Sequence, residues 1–283
     1  MKSRKIGAFI GVLTAALVIC QPVMSKEYSR VTIGTEASYA PYAFKDASGK
    51  MVGFEIDVIN DLCRRMHLQC DIVDQAYDSL IPSLLSGRFD VIMAAIGITP
   101  ARQKVISFTR PYVTTPMVFV TTSTSDLSAL KMSPASLDLD KFDTEEQSAV
   151  YKITSALKGK TVGVQVGSNF ETFMKKFMPT VKVSTYDTTD NMMLDLTAGR
   201  IDAGMASFNF LKPLMDKPDG KDLRIFGPSL TNGPFGSRVA AGLRKNDDQL
   251  RAMFDKAIGE AISDGSLRKL AIKWFGFDNS PKN

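Results

Sequence analysis

Residues 86–98 read SGRFDVIMAAIGI, and residues 198–210 read AGRIDAGMASFNF. Each stretch runs small residue, Gly, Arg, apolar residue, Asp, then a short apolar segment. The two glycines, Gly87 and Gly199, stand 112 positions apart. A glycine closing a helical stretch supplies the left-handed residue that ends a helix. An apolar run with so few polar alternations reads as a strand buried on both faces. The copies agree through the aspartate and diverge over their last four or five residues, so something shared is built first and something different follows.

What precedes each copy is also shared. VTIGTE (31–36) reads as a strand entering the turn ASYAPY, and Phe54, Val58, Leu62 and Met66 recur every four residues as a helix face. CDIVDQ follows as a strand, then a helix from about Asp78 to Leu85 that Gly87 stops. The series restarts near Gly159. KTVGVQVG is a strand, Phe170, Phe173, Met174 and Phe177 line a helix ended by Pro179, and VKVSTY, a helix over Asp190–Ala198 and IDAGMAS complete it. Two βαβαβ series predict an α/β protein of two lobes, each a mainly parallel sheet flanked by helices.

TTPMVFVTT (114–122) and SRVAAGLRK (237–245) are extended apolar stretches where the chain leaves and re-enters the first lobe. Beyond the second, Leu250, Phe254, Ala257 and Ile258 mark one amphipathic helix, and Leu267, Leu270, Ala271 and Trp274 another. The expected division is a first lobe from 26–115 and 237–283, and a second from 116–236. The second carries a polar insertion over 123–157, in which Thr144 and Gln147 have capping-box spacing.

Residues 1–25 read as a secretory signal: Lys2, Arg4 and Lys5, an apolar run from Ile6 to Cys20, then small residues before a cut. Removing them takes three basic residues and no acid, so the net charge of +5 becomes +2. That leaves no case for nucleic acid or an anionic membrane as partner. Only Cys63 and Cys70 then remain, an even pair in an exported chain and so an expected disulfide. A helix running through both would hold their Cα atoms about 10.5 Å apart, too far to bridge. The helix must therefore end near Met66.

Two such lobes joined by two crossings form a cleft at the carboxyl ends of the parallel strands. Those ends are Glu36, Ala94 to Thr99, Gln165 to Asn169, and Ala206 to Asn209. The repeats thus diverge where they reach the cleft.

IGTEASYAPYAF, GFEIDVINDLCRRM, LIPSLLSGRFDVIMAAIGITPARQKVISFTRPY and DLTAGRIDA resemble the polar amino-acid family of periplasmic solute-binding proteins, which serve ABC importers. The likeness covers nearly the whole chain after residue 25. Within the family it is most similar to the lysine/arginine/ornithine- and histidine-binding proteins. TEASYAPY, MAAIGITPARQKVI, RPYVTTPM, GVQVG and WFGFDNSPK are closer still to the opine-binding branch for nopaline and octopine. The resemblance implies a monomer in the periplasm that takes a small ligand by hinge closure, needs no cofactor or metal, and delivers to an inner-membrane permease.

It also implies roles. Arg102 would hold the ligand's α-carboxylate, for which a planar fork of donors is suited, and Glu36 a cationic head. Tyr39 and Tyr77 would sandwich the ligand's middle, with cation–π attraction of about 0.5–2 kcal/mol. Ser168 and Asn169 open a helix whose free N–H groups favour an anion, with Gly167, Gln165 and Met117 beside them. Ser207 stands where binders of free amino acids carry an aspartate for the α-ammonium. Burying that charge unpaired costs several kcal/mol, so a ligand with a substituted α-nitrogen fits better. Ala94, Ala95 and Gly97 replace the serines of the lysine/arginine binders and are expected to leave backbone donors and room. Free arginine is the alternative ligand. Some proteins of this fold are dehydratases, but the single histidine, His67, lies between Cys63 and Cys70, and no positioned acid–base set is visible, so no enzyme is expected.

Overall fold

The computed structural model describes residues 28–236 and 238–282; the expected signal segment, 1–25, lies outside them. In chain order the first part holds β1 (Arg30–Thr35), the ribbon strands β2 (Ser38–Tyr39), β3 (Ala43–Lys45) and β4 (Met51–Val52), α1 (Phe54–Met66), β5 (Gln69–Asp74), α2 (Leu80–Leu85), β6 (Val91–Ile92), α3 (Pro100–Val105) and β7 (Ser107–Thr114). The middle holds β8 (Met117–Thr122), β9 (Ser136–Asp138), α4 (Thr144–Ala156), β10 (Thr161–Gln165), α5 (Asn169–Phe177), β11 (Lys182–Tyr186), α6 (Thr189–Thr197), β12 (Ala203–Ser207), α7 (Phe208–Met215) and β13 (Leu223–Thr231). The last part holds β14 (Arg238–Leu243), α8 (Asp248–Ser263) and α9 (Ser266–Phe275).

Two large sheets result, one ordered β5-β1-β6-β14-β7 and the other β11-β10-β12-β8-β13-β9, beside the small three-stranded ribbon β2-β3-β4. The chain passes from the first to the second between Thr114 and Met117 and returns between Thr231 and Arg238. Both sheets are mixed. The βαβαβ strands pair in parallel, whereas β14 runs antiparallel to β6 and β7, and β8 antiparallel to β12 and β13.

The repeated Gly-Arg-x-Asp has one physical job in both sheets. Gly87 and Gly199 adopt φ of 79° and 69°, and each N–H reaches back three residues, to the Leu84 and Leu196 carbonyls. The helix thereby closes and the chain turns into a strand. Each aspartate then accepts a backbone N–H near the start of a neighbouring strand. Asp90 Oδ2 accepts from the Thr32 N–H at 3.0 Å, and Asp202 Oδ2 accepts from the Thr161 N–H at 2.7 Å.

Helix α1 ends at Met66 because His67 turns left-handed (φ 55°), which returns the chain so that Cys63 and Cys70 join with Cα atoms 6.2 Å apart. Some expectations change. The strand read over residues 90–96 is regular only at Val91–Ile92, since the chain turns at Ala95, which is left-handed (φ 50°), before Gly97 bridges to Val239 of β14. The cap of α4 is Asp143 rather than Thr144. The polar 123–157 insertion carries the expected helix, and its Leu127, Leu137, Leu139, Val150 and Ile153 are buried in the core of the second sheet.

Candidate ligand-binding cleft

Strand β1 delivers Glu36 to the end of the first sheet, and β10 delivers Gln165 to the end of the second. Gln165 Nε2 donates to Glu36 Oε1 at 2.5 Å and to the Asp187 carbonyl at 3.1 Å, so the sheets meet at these two side chains. Glu36 is 5% exposed. Burial is the main reason its carboxyl is pushed up to about 7; Asp190 and Asp74 add to this, while bonds from Gln165 and Ser38 oppose it. Among the described residues no lysine or arginine pairs with it. A buried carboxylate held this way favours a cation.

Glu36, Tyr39, Tyr77, Ala95, Met117, Gln165, Ser168, Asn169 and Ser207 line one enclosed pocket of about 20 Å³, together with Tyr42, Thr115 and Phe170. That space is on the scale of one water. Beside it lies a wider chamber of about 590 Å³ that shares Ser168 and Asn169 and is bordered by Arg102, Gly167, Leu139, Phe142, Lys176, Phe177 and Pro234. Among the described residues no acid lines that chamber.

Arg102 lies in α3, which Pro100 opens and the Thr99 side chain caps by accepting the Arg102 N–H at 3.2 Å. Its guanidinium donates to the Gly97 carbonyl at 3.2 Å and to the Tyr77 hydroxyl at 3.0 Å, with Cζ 5.8 Å from the Tyr77 ring centroid. Both partners are neutral, and among the described residues no carboxylate pairs with it. The cleft therefore has two poles, an unpaired acid at Glu36 and an unpaired cation at Arg102, with Tyr77 between them.

Tyr39 is stacked on Phe210, centroids 4.7 Å apart, and on Tyr42 at 5.4 Å. Its hydroxyl and Ser207 Oγ lie 2.9 Å apart. Ser207 also caps α7, its Oγ accepting from the Phe210 N–H at 3.3 Å. Ser168 caps α5 in the same way, accepting from the Glu171 N–H while donating to the Gln165 carbonyl at 2.6 Å. Asn169 Nδ2 donates to the Phe235 carbonyl at 2.6 Å.

The 94–97 stretch differs from its expectation. Ala94 is buried among Leu80, Leu84 and Phe89 and does not line the pocket. The Ala95 N–H is not a free donor: it points inward to Glu55 Oε1 at 2.7 Å. Gly97 is pressed against the returning chain, where an added Cβ would stand 2.5 Å from the Phe235 carbonyl oxygen and 2.7 Å from that of Gly236. Close backbone approach, not spare volume, is what requires glycine there. Three lining residues were missed by sequence reasoning. Tyr42 sits three residues after Tyr39 in the same turn, a visible signal, whereas Thr115 and Phe170 reach the pocket only through the packing of the lobes.

The architecture and cleft define a two-lobed periplasmic-binding-protein fold. Residues 31–277 match the family model for bacterial extracellular solute-binding proteins, family 3, and the chain belongs to that family. It is a periplasmic solute-binding protein, and its family is one of binders, not enzymes. It is 35% identical to the octopine-binding periplasmic protein of Rhizobium meliloti, over 95% of this chain and 98% of the relative. It is 37% identical to the histidine-binding periplasmic protein of Salmonella typhimurium, over 88% of each chain. Among solved structures, an ancestral arginine-binding protein bound to arginine superposes with a TM-score of 0.73 at 29% identity, over 88% of this chain and 99% of that one.

Proposed function

We propose that this protein captures an arginine-derived opine of the octopine or nopaline type for an ABC importer in the inner membrane. The observation that carries the reading is the presence in one cleft of an acid and a cation that lack a charged partner, Glu36 and Arg102, with Ser207 where a charged partner for a primary ammonium would be needed. A guanidinium displaces the Gln165 amide from Glu36, its stem lies against Tyr77, and its α-carboxylate takes the Arg102 fork. The substituted nitrogen then lies near Ser207, whose hydroxyl suits a neutral or internally compensated group. The chamber beyond Arg102, with Arg102 and Lys176 on its border and no acid among its described lining residues, gives an acidic N-substituent a place to extend. The octopine-binding relative supports the same reading.

Docking on the first lobe precedes hinge closure, in which Gln165, Ser168, Asn169 and Ser207 complete the enclosure. The closed form is what the permease engages, and one chain suffices for binding.

Free arginine is the second reading, favoured by the Glu36 pole alone and by the arginine-bound structural neighbour. Calorimetry with L-arginine, octopine and nopaline separates them. Opine binding tighter than arginine by at least tenfold, about 1.4 kcal/mol, supports the proposal. The reverse ranking overturns it.

A further inference from the structure

One buried acid stands outside the pocket altogether. Glu55, in the first turn of α1, is 1% exposed. Its Oε1 accepts the Ala95 N–H at 2.7 Å and also the Tyr112 hydroxyl. Among the described residues no lysine or arginine pairs with it. Desolvation pushes its carboxyl up to about 7, while these two bonds pull the other way. An acid held in the core without a counter-cation costs stability, and a well-packed apolar residue would not. Its retention needs a reason that core packing does not give.

The reason lies in what it grips. Ala95 has φ of 50°, a left-handed conformation that costs a non-glycine residue about 1–3 kcal/mol unless its surroundings impose it. A buried carboxyl oxygen, in either protonation state, accepts that residue's N–H and ties it in place. Two residues on, the Gly97 carbonyl accepts from the Arg102 guanidinium at 3.2 Å, and Gly97 itself is wedged against Phe235 and Gly236. The turn at Ala95 thus sets one wall of the pocket and, through Gly97, the aim of Arg102.

We propose that Glu55 is a positioning residue for ligand recognition: by holding Ala95 left-handed it fixes the 95–97 turn and, through the Gly97 carbonyl, orients Arg102 toward the ligand's acid end. The inference rests on the reading of this cleft as the ligand site. It predicts a specific coupling. Glycine adopts the left-handed conformation without the penalty of alanine, so Ala95→Gly should relieve the need for Glu55.

The test is a double-mutant cycle read by calorimetry with L-arginine and octopine, on protein shown folded by circular dichroism. Glu55→Ala should weaken the tighter-bound ligand about tenfold, and in an Ala95→Gly background by no more than about threefold. Amide exchange at residue 95 should quicken in Glu55→Ala. Glu55→Gln, whose amide oxygen still accepts the N–H, should restore most of the affinity. Where Glu55→Ala does not fold, the same cycle runs with Glu55→Gln, whose smaller loss of about threefold must likewise shrink in the Ala95→Gly background. Affinity within twofold of wild type in folded Glu55→Ala, or strictly additive effects in either cycle, reduces Glu55 to a structural acid and overturns the proposal. A wild-type protein that binds neither ligand instead defeats the ligand reading.

Discussion

The Tyr39 hydroxyl and Ser207 Oγ, 168 positions apart in the chain, lie 2.9 Å from each other across the cleft. Tyr39 belongs to the ribbon beside the first sheet and Ser207 ends a strand of the second, so this bond joins the lobes across the pocket, and the proposed function puts the ligand's nitrogen beside it.

Ser207→Asp tests that placement. Aspartate also serves as an N-cap, so α7 keeps its start while the pocket gains a charge suited to a primary ammonium. Affinity for free arginine should rise and that for octopine fall, changing their ratio by at least tenfold, about 1.4 kcal/mol. An unchanged ratio in calorimetry would show that Ser207 does not face the ligand's nitrogen.

Arg102→Ala should cost about 2–5 kcal/mol of ligand affinity, the range for truncating one half of a desolvated charge pair. Because its protein partners are the Gly97 carbonyl and the Tyr77 hydroxyl, the melting temperature should move little. Binding within a few-fold of wild type would remove Arg102 from the site.

Glu36 and Glu55 are both pushed up to about 7 by burial. Their protonated forms suit the fold, so their contribution to stability is fully present below the unfolded value near 4.5 and is lost as pH rises through 7. The loss is on the order of 3 kcal/mol for each group. Melting of the ligand-free protein should therefore be highest near pH 5 and lower at pH 8. A cationic ligand needs the ionised Glu36, so its affinity should do the opposite. It should rise from pH 5.5 to a plateau above 7, by at most about thirtyfold, and Glu36→Gln should flatten that slope. A slope that survives Glu36→Gln assigns the titration elsewhere.

Breaking the Cys63–Cys70 bridge should cost about 2–3 kcal/mol, the loop-closure value for so short a ring. The bridge lies at the start of β5, opposite the strand ends that form the cleft. A Cys63→Ala/Cys70→Ala protein should melt earlier yet bind within twofold of wild type, as denaturation and calorimetry would report.

The two-lobed plan was legible because Gly-Arg-x-Asp encodes local geometry twice. A glycine must take the left-handed turn, and an aspartate must meet an N–H near the start of a neighbouring strand. The end of α1 was legible because Cys63 and Cys70 cannot bridge along a continuous helix. Strand β13 was not, because Gly227 and Pro228 interrupt it and its pairing shifts register between Phe226 and Leu230. Nor was the turn at Ala95: nothing in MAAIG distinguishes a left-handed alanine from a strand, since what holds it is an acid forty residues earlier. Glu55 itself sits where acids are common at helix starts; only the tertiary approach of Tyr112 and Ala95 shows it buried. Of the wider site, Glu36 and Gln165 followed from their places at strand ends, whereas Thr115 and Phe170 depended on how the lobes meet.

The place of β14 between β6 and β7 has a consequence for how the chain is made. Sheet one stays split, with β7 lacking a neighbour, until residues 238–243 have emerged, although every other strand of that sheet was synthesised by residue 114. A polypeptide threaded amino end first across a membrane thus cannot finish its leading half until its tail arrives.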